Sequence, residues 1–590
     1  MEISTIGRPR NVGWVRAAAL LYGDWGTSKA YVIGLALFSI GFAALPHLLA
    51  VCALTALVGI NYVWICKYFP SGGGVYSAAG LHSRRLAMIG GLLLLADYIV
   101  TASLSCLDAF HYLGFTQIEA KKWAITAIFA IGAMNFFGPK HSGAVAIWLA
   151  LPTVLVVLAL IGCSLPHLED FHPVATSGGL GHNWIAFCGM ILALSGVEAA
   201  ASNTGVLQLD PDASFDRPSV RVTSRRAVLV VMIEVVFGTA MLSVLAMALP
   251  AQAVEHKEDL LRFMGTSFVG DRFGFVVGWV FALLLLSAVN TAIGGMVSLL
   301  YVMARDREIP DPFSNLNKYG VPWLALIVST ILPVLVLDVV DSVEGLSHLY
   351  AIGVVGAIAI NVGSCAFARQ LNLRRRERVT MVLTLIILAC VWTTIAMTKL
   401  PALMFVAAIL AAGLGIREYT QRRPKRAATA PAPTPAEATP GATPATQPPP
   451  ARATTPFLGA RVLVAARGWT PALQFAIEEC RTRGVELLVL YIREVAIQFE
   501  QLSSDWRDDL EARALFSRVL SEAQGLKLNP LYSMSDSPAD TIIDIAATFG
   551  VDTVILGGTK RATLVNLLKG NVVTRVAANL PEPMHLLVIG

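Results

Sequence analysis

Two carboxylates stand where charge is costly to keep. Asp24 lies in Gly23-Asp24-Trp25-Gly26-Thr27-Ser28-Lys29-Ala30-Tyr31, with apolar sequence on both sides. Glu198 lies in Ala193-Leu194-Ser195-Gly196-Val197-Glu198-Ala199-Ala200-Ala201-Ser202-Asn203, inside a second apolar run. An ionisable side chain within a membrane-length segment marks a functional path by default. Glycines beside each acid loosen the helix, and the freed carbonyls and hydroxyls join the carboxylate as cation ligands. A third stretch, Asp97-Tyr98-Ile99-Val100-Thr101-Ala102-Ser103-Leu104-Ser105, sets Tyr98, Thr101 and Ser105 at i, i+3 and i+7 on one helical face, with Asp97 to one side. Tyr350, in a later span, can reach the same cavity. Neutral oxygens with one or two carboxylates suit a hard monovalent cation or the ammonium of an organic substrate.

Each residue also has a plainer reading. Asp24 is near the start of its span and could snorkel to the surface. Glu198 could clamp an unwound helix, and Tyr98, Thr101 and Ser105 could bond helix to helix. Asp97 could be a gate without a part in coupling, and Tyr350 could be packing alone.

The elements that must position these groups are membrane spans. Of 590 residues, 55% are hydrophobic and 14% charged, well below the roughly 25% charge of soluble domains. Twelve apolar segments are each long enough to cross a bilayer: 17–44, 47–67, 86–113, 122–139, 142–165, 184–204, 226–249, 272–304, 322–339, 346–369, 379–398 and 400–416. The first and sixth are the interrupted ones. They hold corresponding places in two five-helix halves, which points to a binding site at the bilayer midplane. The first apolar run lacks a small-residue cleavage site, so no cleavable signal peptide is expected. The eight cysteines form no CxxC pair and read as small core hydrophobes, with no metal or disulfide framework.

One set of loops is basic (Arg8, Arg10 and Arg16; Lys67, Arg84 and Arg85; Arg217, Arg221, Arg225 and Arg226; Arg305 and Arg307; Arg374, Arg375, Arg376 and Arg378). The opposite set holds Glu169, Asp170, Asp271, Asp338, Asp341 and Glu344, with only a few basic residues such as Lys121, Lys122, Lys257 and Arg262. The positive-inside tendency puts both chain ends in the cytoplasm, in a multi-pass protein of the cytoplasmic (inner) membrane. With the net charge of +5 spread over loops, nucleic acid is not an expected partner.

Residues 1–416 thus form the transmembrane domain. Residues 417–456, a basic collar leading into a Pro/Ala/Thr tract, form a semi-extended linker. From 457 to 590 the chain alternates strands and helices: strands at 462–466, 485–492, 551–556 and 586–589, helices at 472–483, 508–524 and 537–548. That alternation predicts a parallel, doubly wound α/β domain.

The run from Gly23 to Tyr31 resembles the first-helix signature of KUP/KimA-type potassium uptake transporters, in the amino acid–polyamine–organocation superfamily. Phe69-Pro70-Ser71-Gly72-Gly73-Gly74-Val75-Tyr76, Asp97-Tyr98, Ser195-Gly196-Val197-Glu198, and Ala304-Arg305-Asp306 with Pro310 extend the resemblance over residues 1–416. It implies a LeuT-type five-plus-five inverted repeat of twelve helices, and no enzymatic activity. It also implies potassium ligands at Asp24, Tyr31, Tyr98, Thr101, Ser105, Ser195 and Tyr350, with Glu198 close by and Asp97 as the proton-coupling acid. The metal-type ligands to potassium would be Asp24, Tyr31, Thr101 and Ser105. Lys29 departs from the family, whose motif has proline there. If its ammonium reaches Asp24 or Glu198 it is a built-in cation; otherwise it faces a water-filled vestibule.

The last domain resembles the universal stress protein fold. Nucleotide binders of that family carry Gly-x2-Gly-x9-Gly-Ser/Thr, a loop whose amides cradle phosphates. Here Gly557 and Gly570 hold the outer positions, Lys560 replaces the middle glycine and Asn571 the hydroxyl, and Ala466-Arg467 stands where an acid is usual. A regulatory nucleotide at Gly557, Lys560 and Gly570 is the possible cofactor, and a degenerate regulatory or dimerisation module is the favoured reading. The expected function is proton-coupled potassium uptake by a homodimer joined through this domain. An amino-acid or amine transporter of the same fold is the alternative, although Asp24 would repel a substrate carboxylate. A sensor that has lost transport is a third reading, disfavoured because unpaired intramembrane charge is costly to keep without a use.

Overall fold

The computed structural model describes residues 3–6, 10, 12–72, 74–138, 143–172, 174–176, 178–213, 218–422, 461–496, 506–558 and 570–590. After a short strand β1 (Ser4–Ile6), the helical part opens with α1 (Trp14–Trp25), α2 (Ser28–Ile40) and α3 (Leu45–Tyr68). Next come α4 (Val75–Gly80), α5 (Arg84–Tyr112), α6 (Gln117–Phe136) and α7 (Gly143–Ser164). The second half runs through α8 (Leu180–Gly189), α9 (Ala199–Ser202), α10 (Arg221–Ala246), α11 (Leu260–Phe268) and α12 (Asp271–Arg305). It ends with α13 (Trp323–Val339), α14 (Val343–Phe367), α15 (Arg375–Thr398) and α16 (Leu400–Arg422).

Among the described residues, eight helices are long and apolar enough to cross a membrane, or nine if the bent segment from Leu180 to Val206 is one span. The continuous stretch Trp14–Tyr68 holds the first two expected spans. Two further expected spans are marginal for visible reasons: α13 has 17 residues, and α6 carries Glu119, Lys121 and Lys122 in its first turns. The chain is a multi-pass membrane protein.

Burial sorts the helices into centre and rim. In α5 and α14, 89% of the most apolar window is buried inside the protein, against 28% in α15 and 22% in α16. Hydroxyl caps start both central helices: Ser83 accepts from the Leu86 amide and Ser342 from the Gly345 amide. α5 lies against α12 and α14, while α10 lies against α3 and α1, and α1 also touches α7.

The linker expected to begin at 417 begins later. α16 continues to Arg422, and Arg417 is a buried partner of Glu308 rather than a solvated collar residue. A guanidinium with a carboxylate to answer it can stay inside a helical surface. The rest of the tract lies outside the described residues.

The C-terminal domain is a parallel six-stranded sheet in the order β1-β4-β3-β2-β5-β6, with β2 (Arg461–Ala465), β3 (Glu486–Glu494), β4 (Leu528–Ser535), β5 (Thr553–Gly557) and β6 (His585–Ile589). The expected strands are found with shifted ends. Two were missed, β4 and β1. Helices α17 (Pro471–Arg483), α18 (Leu510–Glu522), α19 (Pro538–Thr548) and α20 (Val572–Asn579) cover it. Both faces are buried, as a doubly wound sheet requires. Val462, Val464, Val489 and Tyr491 pack with Leu473, Ala476 and Phe516, while Leu463, Leu488 and Leu490 pack with Ile542 and Ile545.

The domain also touches the helical body. The Ala496 amide donates to the Gly320 carbonyl at 2.8 Å, and Tyr301 of α12 joins the core beneath α17 and α18. Gly320 needs to be glycine: its φ is +80°, and a Cβ would stand 2.3 Å from the Glu494 carbonyl oxygen.

Candidate ion-binding site

The first interruption is short. Only Gly26 and Thr27 separate α1 from α2, and both keep right-handed helical angles. The helix tightens there: the Thr27 amide donates to the Asp24 carbonyl at 3.1 Å, three residues back. The hydroxyls at the break direct their protons to the backbone, Thr27 Oγ1 to the Asp24 carbonyl (2.6 Å) and Ser28 Oγ to that of Trp25 (2.9 Å), which leaves their oxygen lone pairs for a cation. Of the Asp24 carboxyl, Oδ1 is buried and without a hydrogen-bond partner.

The second interruption is wider. Ser195 is extended (ψ 134°), Gly196 has φ +86°, and helix resumes only at Ala199. A Cβ on Gly196 would sit 2.4 Å from the Trp25 amide nitrogen and 2.8 Å from the Asp24 carbonyl carbon. The two breaks therefore touch backbone to backbone, which only glycine permits. Matched interruptions far apart in sequence become one place.

α5 and α14 close the site. Asp97 is 0% exposed; its carboxyl faces the Tyr350 hydroxyl and the Thr101 side chain, neither in full hydrogen-bond geometry. Gly353 lets α14 approach the Asp97 backbone, since a Cβ there would be 3.2 Å from its amide nitrogen. Tyr350, one turn earlier on α14, has its buried hydroxyl unpartnered beside Asp97. Ser195 Oγ and Glu198 Oε2 are also buried and unpartnered. The carboxylates of Asp24, Asp97 and Glu198 lie within electrostatic reach of one another, and Tyr98 and Tyr350 lie within reach of all three. Tyr31 stands beside Ser195 and Thr27 and within reach of Asp24.

The structure thus brings together Asp24, Tyr31, Asp97, Tyr98, Ser195, Glu198 and Tyr350, each exposed by less than 5%. The site is occluded from both sides, and Asp24 does not snorkel. Thr101 and Ser105 are buried on the same helix, but Thr101 Oγ1 already donates to the Asp97 carbonyl at 2.9 Å.

Lys29 answers to neither expectation. It is fully buried, so it faces no vestibule, and it does not reach Asp24 or Glu198. Its ammonium donates to both carboxylate oxygens of Glu234 on α10 (2.8 and 2.7 Å) and to the Tyr22 hydroxyl (3.1 Å). Tyr22 also donates to Glu234, at 3.0 Å. Glu234 was missed in the sequence, although a lone acid in Val231-Met232-Ile233-Glu234-Val235-Val236 was a visible signal. Asp108 of α5 was missed for the same reason; it is fully buried, with both oxygens unpartnered.

In the α/β domain a cavity of about 540 Å³ opens at the strand ends, lined in part by Ala466, Arg467, Gly557, Gly558 and Val572. Arg467 is tied to Glu494 at 2.6 Å, and the Asn571 side chain caps α20 by accepting from the Val573 and Thr574 amides. Gly557 and Gly570 flank a loop that contains Lys560, and Lys560 lies outside the described residues.

Comparison with known proteins agrees with this architecture. Residues 461–587 match the universal stress protein family. The aromatic amino acid transport protein AroP of Salmonella typhimurium is 24% identical over 307 residues, covering 48% of this chain and 63% of AroP. The potassium transporter KimA of Bacillus subtilis is 25% identical over 368 residues, covering 58% of each chain. A probable amino-acid permease of Schizosaccharomyces pombe is 25% identical over 276 residues, 42% of this chain and 52% of the relative. The chain therefore spans about three fifths of the length of these relatives. A manganese transporter structure from Eremococcus coleocola aligns at 13% identity over 69% of this chain and 93% of its own, with a TM-score of 0.44, too low to carry weight. Residues 12–416 match the amino acid permease family, and the chain belongs to that family.

Proposed function

We propose that the protein takes up potassium in exchange for the energy of an inward proton gradient. One observation carries the reading: the buried carboxyl groups of Asp24 and Glu198, each with an oxygen lacking a hydrogen-bond partner, meet that of Asp97 where two helix breaks touch. Lys29, the nearby cation that would have balanced them, is turned to Glu234. Uncompensated charge in a dry interior is costly, so each carboxyl of the cluster is either protonated or balanced by a bound cation. A monovalent ion answers one negative charge and leaves the others to protons, which links ion occupancy to proton occupancy.

In this reading Asp24 supplies charge to the ion. Tyr31, Ser195 and Tyr350 offer neutral oxygens, with Tyr98, Thr101 and Ser105 completing the face of α5. Asp97, between the ion and α14, exchanges the coupling proton, and Glu198 stands beside the unwound turn. We further infer twelve membrane crossings in a five-plus-five inverted repeat, both termini cytoplasmic, in the cell membrane. The α/β domain is taken as a degenerate regulatory or dimerisation module, in preference to a nucleotide site at Gly557, Lys560 and Gly570.

The test is uptake of ⁸⁶Rb⁺, as a potassium tracer, by proteoliposomes under an imposed proton gradient, with rescue of a potassium-uptake-deficient bacterium at low potassium. A second reading, amino-acid or amine transport, is favoured by the amino-acid permeases among the relatives. Radiolabelled amino acids and amines assayed in parallel decide between them. Uptake of those without rubidium would overturn the potassium reading.

A further inference from the structure

The sheet of the α/β domain takes its edge strand from the other end of the chain. β1 pairs with β4 in parallel, Ser4 opposite Leu531, Thr5 opposite Tyr532 and Ile6 opposite Ser533. A few residues on, the same segment is sewn into the helical body. Arg10 Nη1 donates to the carbonyls of Pro70 (2.6 Å) and Thr204 (3.3 Å), and Nη2 to Ser71 Oγ at 3.4 Å. The Val12 amide donates to the Val206 carbonyl (3.3 Å), and the Gln208 amide to the Val12 carbonyl (2.9 Å). Trp14 then begins α1, the half-helix that leads to Asp24.

Arg10 and Val12 therefore join three pieces on the α/β side: the start of α1, the Pro70-Ser71 loop before α4, and the end of the sixth span. The ion cluster is occluded, so release on that side requires some of these pieces to part. The domain's other attachment, through Gly320 and Tyr301, lies on the segment around α12. α12 is packed mainly on α5 and α11 and α1 mainly on α7 and α10, while α1 and α12 also touch each other. One sheet thus holds both the segment that leads into α1 and the segment that follows α12.

We propose that β1 is an internal tether by which the α/β domain holds the exit on its own side closed. Three backbone registers in β1 and the contacts of Arg10 and Val12 must yield, or the sheet must move, before α1 separates from the sixth span. Whatever shifts the domain relative to α12 would then set the rate of release. The proposal rests on the chain being a transporter and needs no particular cargo.

The test uses the full chain with the pair Ile6→Cys and Ser533→Cys, which the register places opposite each other, and separately a deletion of residues 3–6. Oxidation is expected to form a crosslink within one chain and to cut ⁸⁶Rb⁺ uptake at least tenfold, with recovery on reduction. The deletion is expected to raise uptake severalfold. A readout without cargo is labelling of the native Cys66 thiol, which is buried and donates to the Ala200 carbonyl of the sixth span at 3.5 Å. In inside-out vesicles an impermeant maleimide, located by mass spectrometry, should label Cys66 faster after the deletion and more slowly after crosslinking. No crosslink, a crosslink between chains, or a crosslink and deletion that leave Cys66 labelling unchanged would overturn the tether. If the wild type moves no rubidium while Cys66 labelling responds as described, the potassium reading falls and the tether stands.

Discussion

The Lys29–Glu234 pair gives the sharpest stability prediction. At 2.7 Å, with an effective dielectric of about 20, the attraction between two unit charges is roughly 6 kcal/mol. Desolvation takes most of that back, since Lys29 is wholly buried and Glu234 is 16% exposed. The net worth of the pair is therefore small, but breaking it leaves one buried charge alone, at a cost of about 3–5 kcal/mol. Lys29→Met and Glu234→Gln should each destabilise the protein by that order. The double variant should recover most of the loss, because neither charge is left stranded, giving a coupling energy of at least about 4 kcal/mol. Unfolding of detergent-solubilised protein, followed by intrinsic fluorescence across the four members of the cycle, measures it. Additive single effects, or a stable Lys29→Met, would refute the reasoning. The double variant should also keep ⁸⁶Rb⁺ uptake, because the ammonium does not sit among Asp24, Asp97 and Glu198.

Three further outcomes follow from the same geometry. Asp24→Asn should fold and insert normally yet lose ⁸⁶Rb⁺ uptake by at least a hundredfold in proteoliposomes; wild-type uptake would remove Asp24 from the site. Asp97→Asn should keep rubidium exchange at equal concentrations but lose the response of net uptake to an imposed pH gradient, and a wild-type proton flux per ion would move coupling to Glu198. Gly196→Ala should cost more than the 1–2 kcal/mol of a left-handed non-glycine residue, because its Cβ would also press on the Trp25 amide. A lower thermal midpoint with loss of uptake is expected, and an unchanged midpoint would show that the breaks do not touch.

Much of the site was legible because it rests on local chemistry. A carboxylate in an apolar run is costly wherever the chain folds, so Asp24, Asp97 and Glu198 stood out without a structure. The sheet was legible from its alternation of strand and helix, yet β4 was missed: Leu528-Asn529-Pro530-Leu531-Tyr532-Ser533 mixes polar residues and proline into a strand that is buried by its neighbours. β1 is three residues long and has no pattern of its own; it is a strand because β4 lies beside it.

The sequence by itself determined that this is a membrane protein with two interrupted spans and acids at both, since apolar length, glycine and charge are properties of neighbouring residues. Tertiary structure decided which groups meet. Lys29 and Glu234 are 205 positions apart, and nothing near either residue names the other. The same holds for Gly196 against Trp25 and for β1 against β4. Burial gives the physical reason: an ammonium, a carboxylate or an edge strand removed from water must find a partner, and only the packed fold settles which one is within reach.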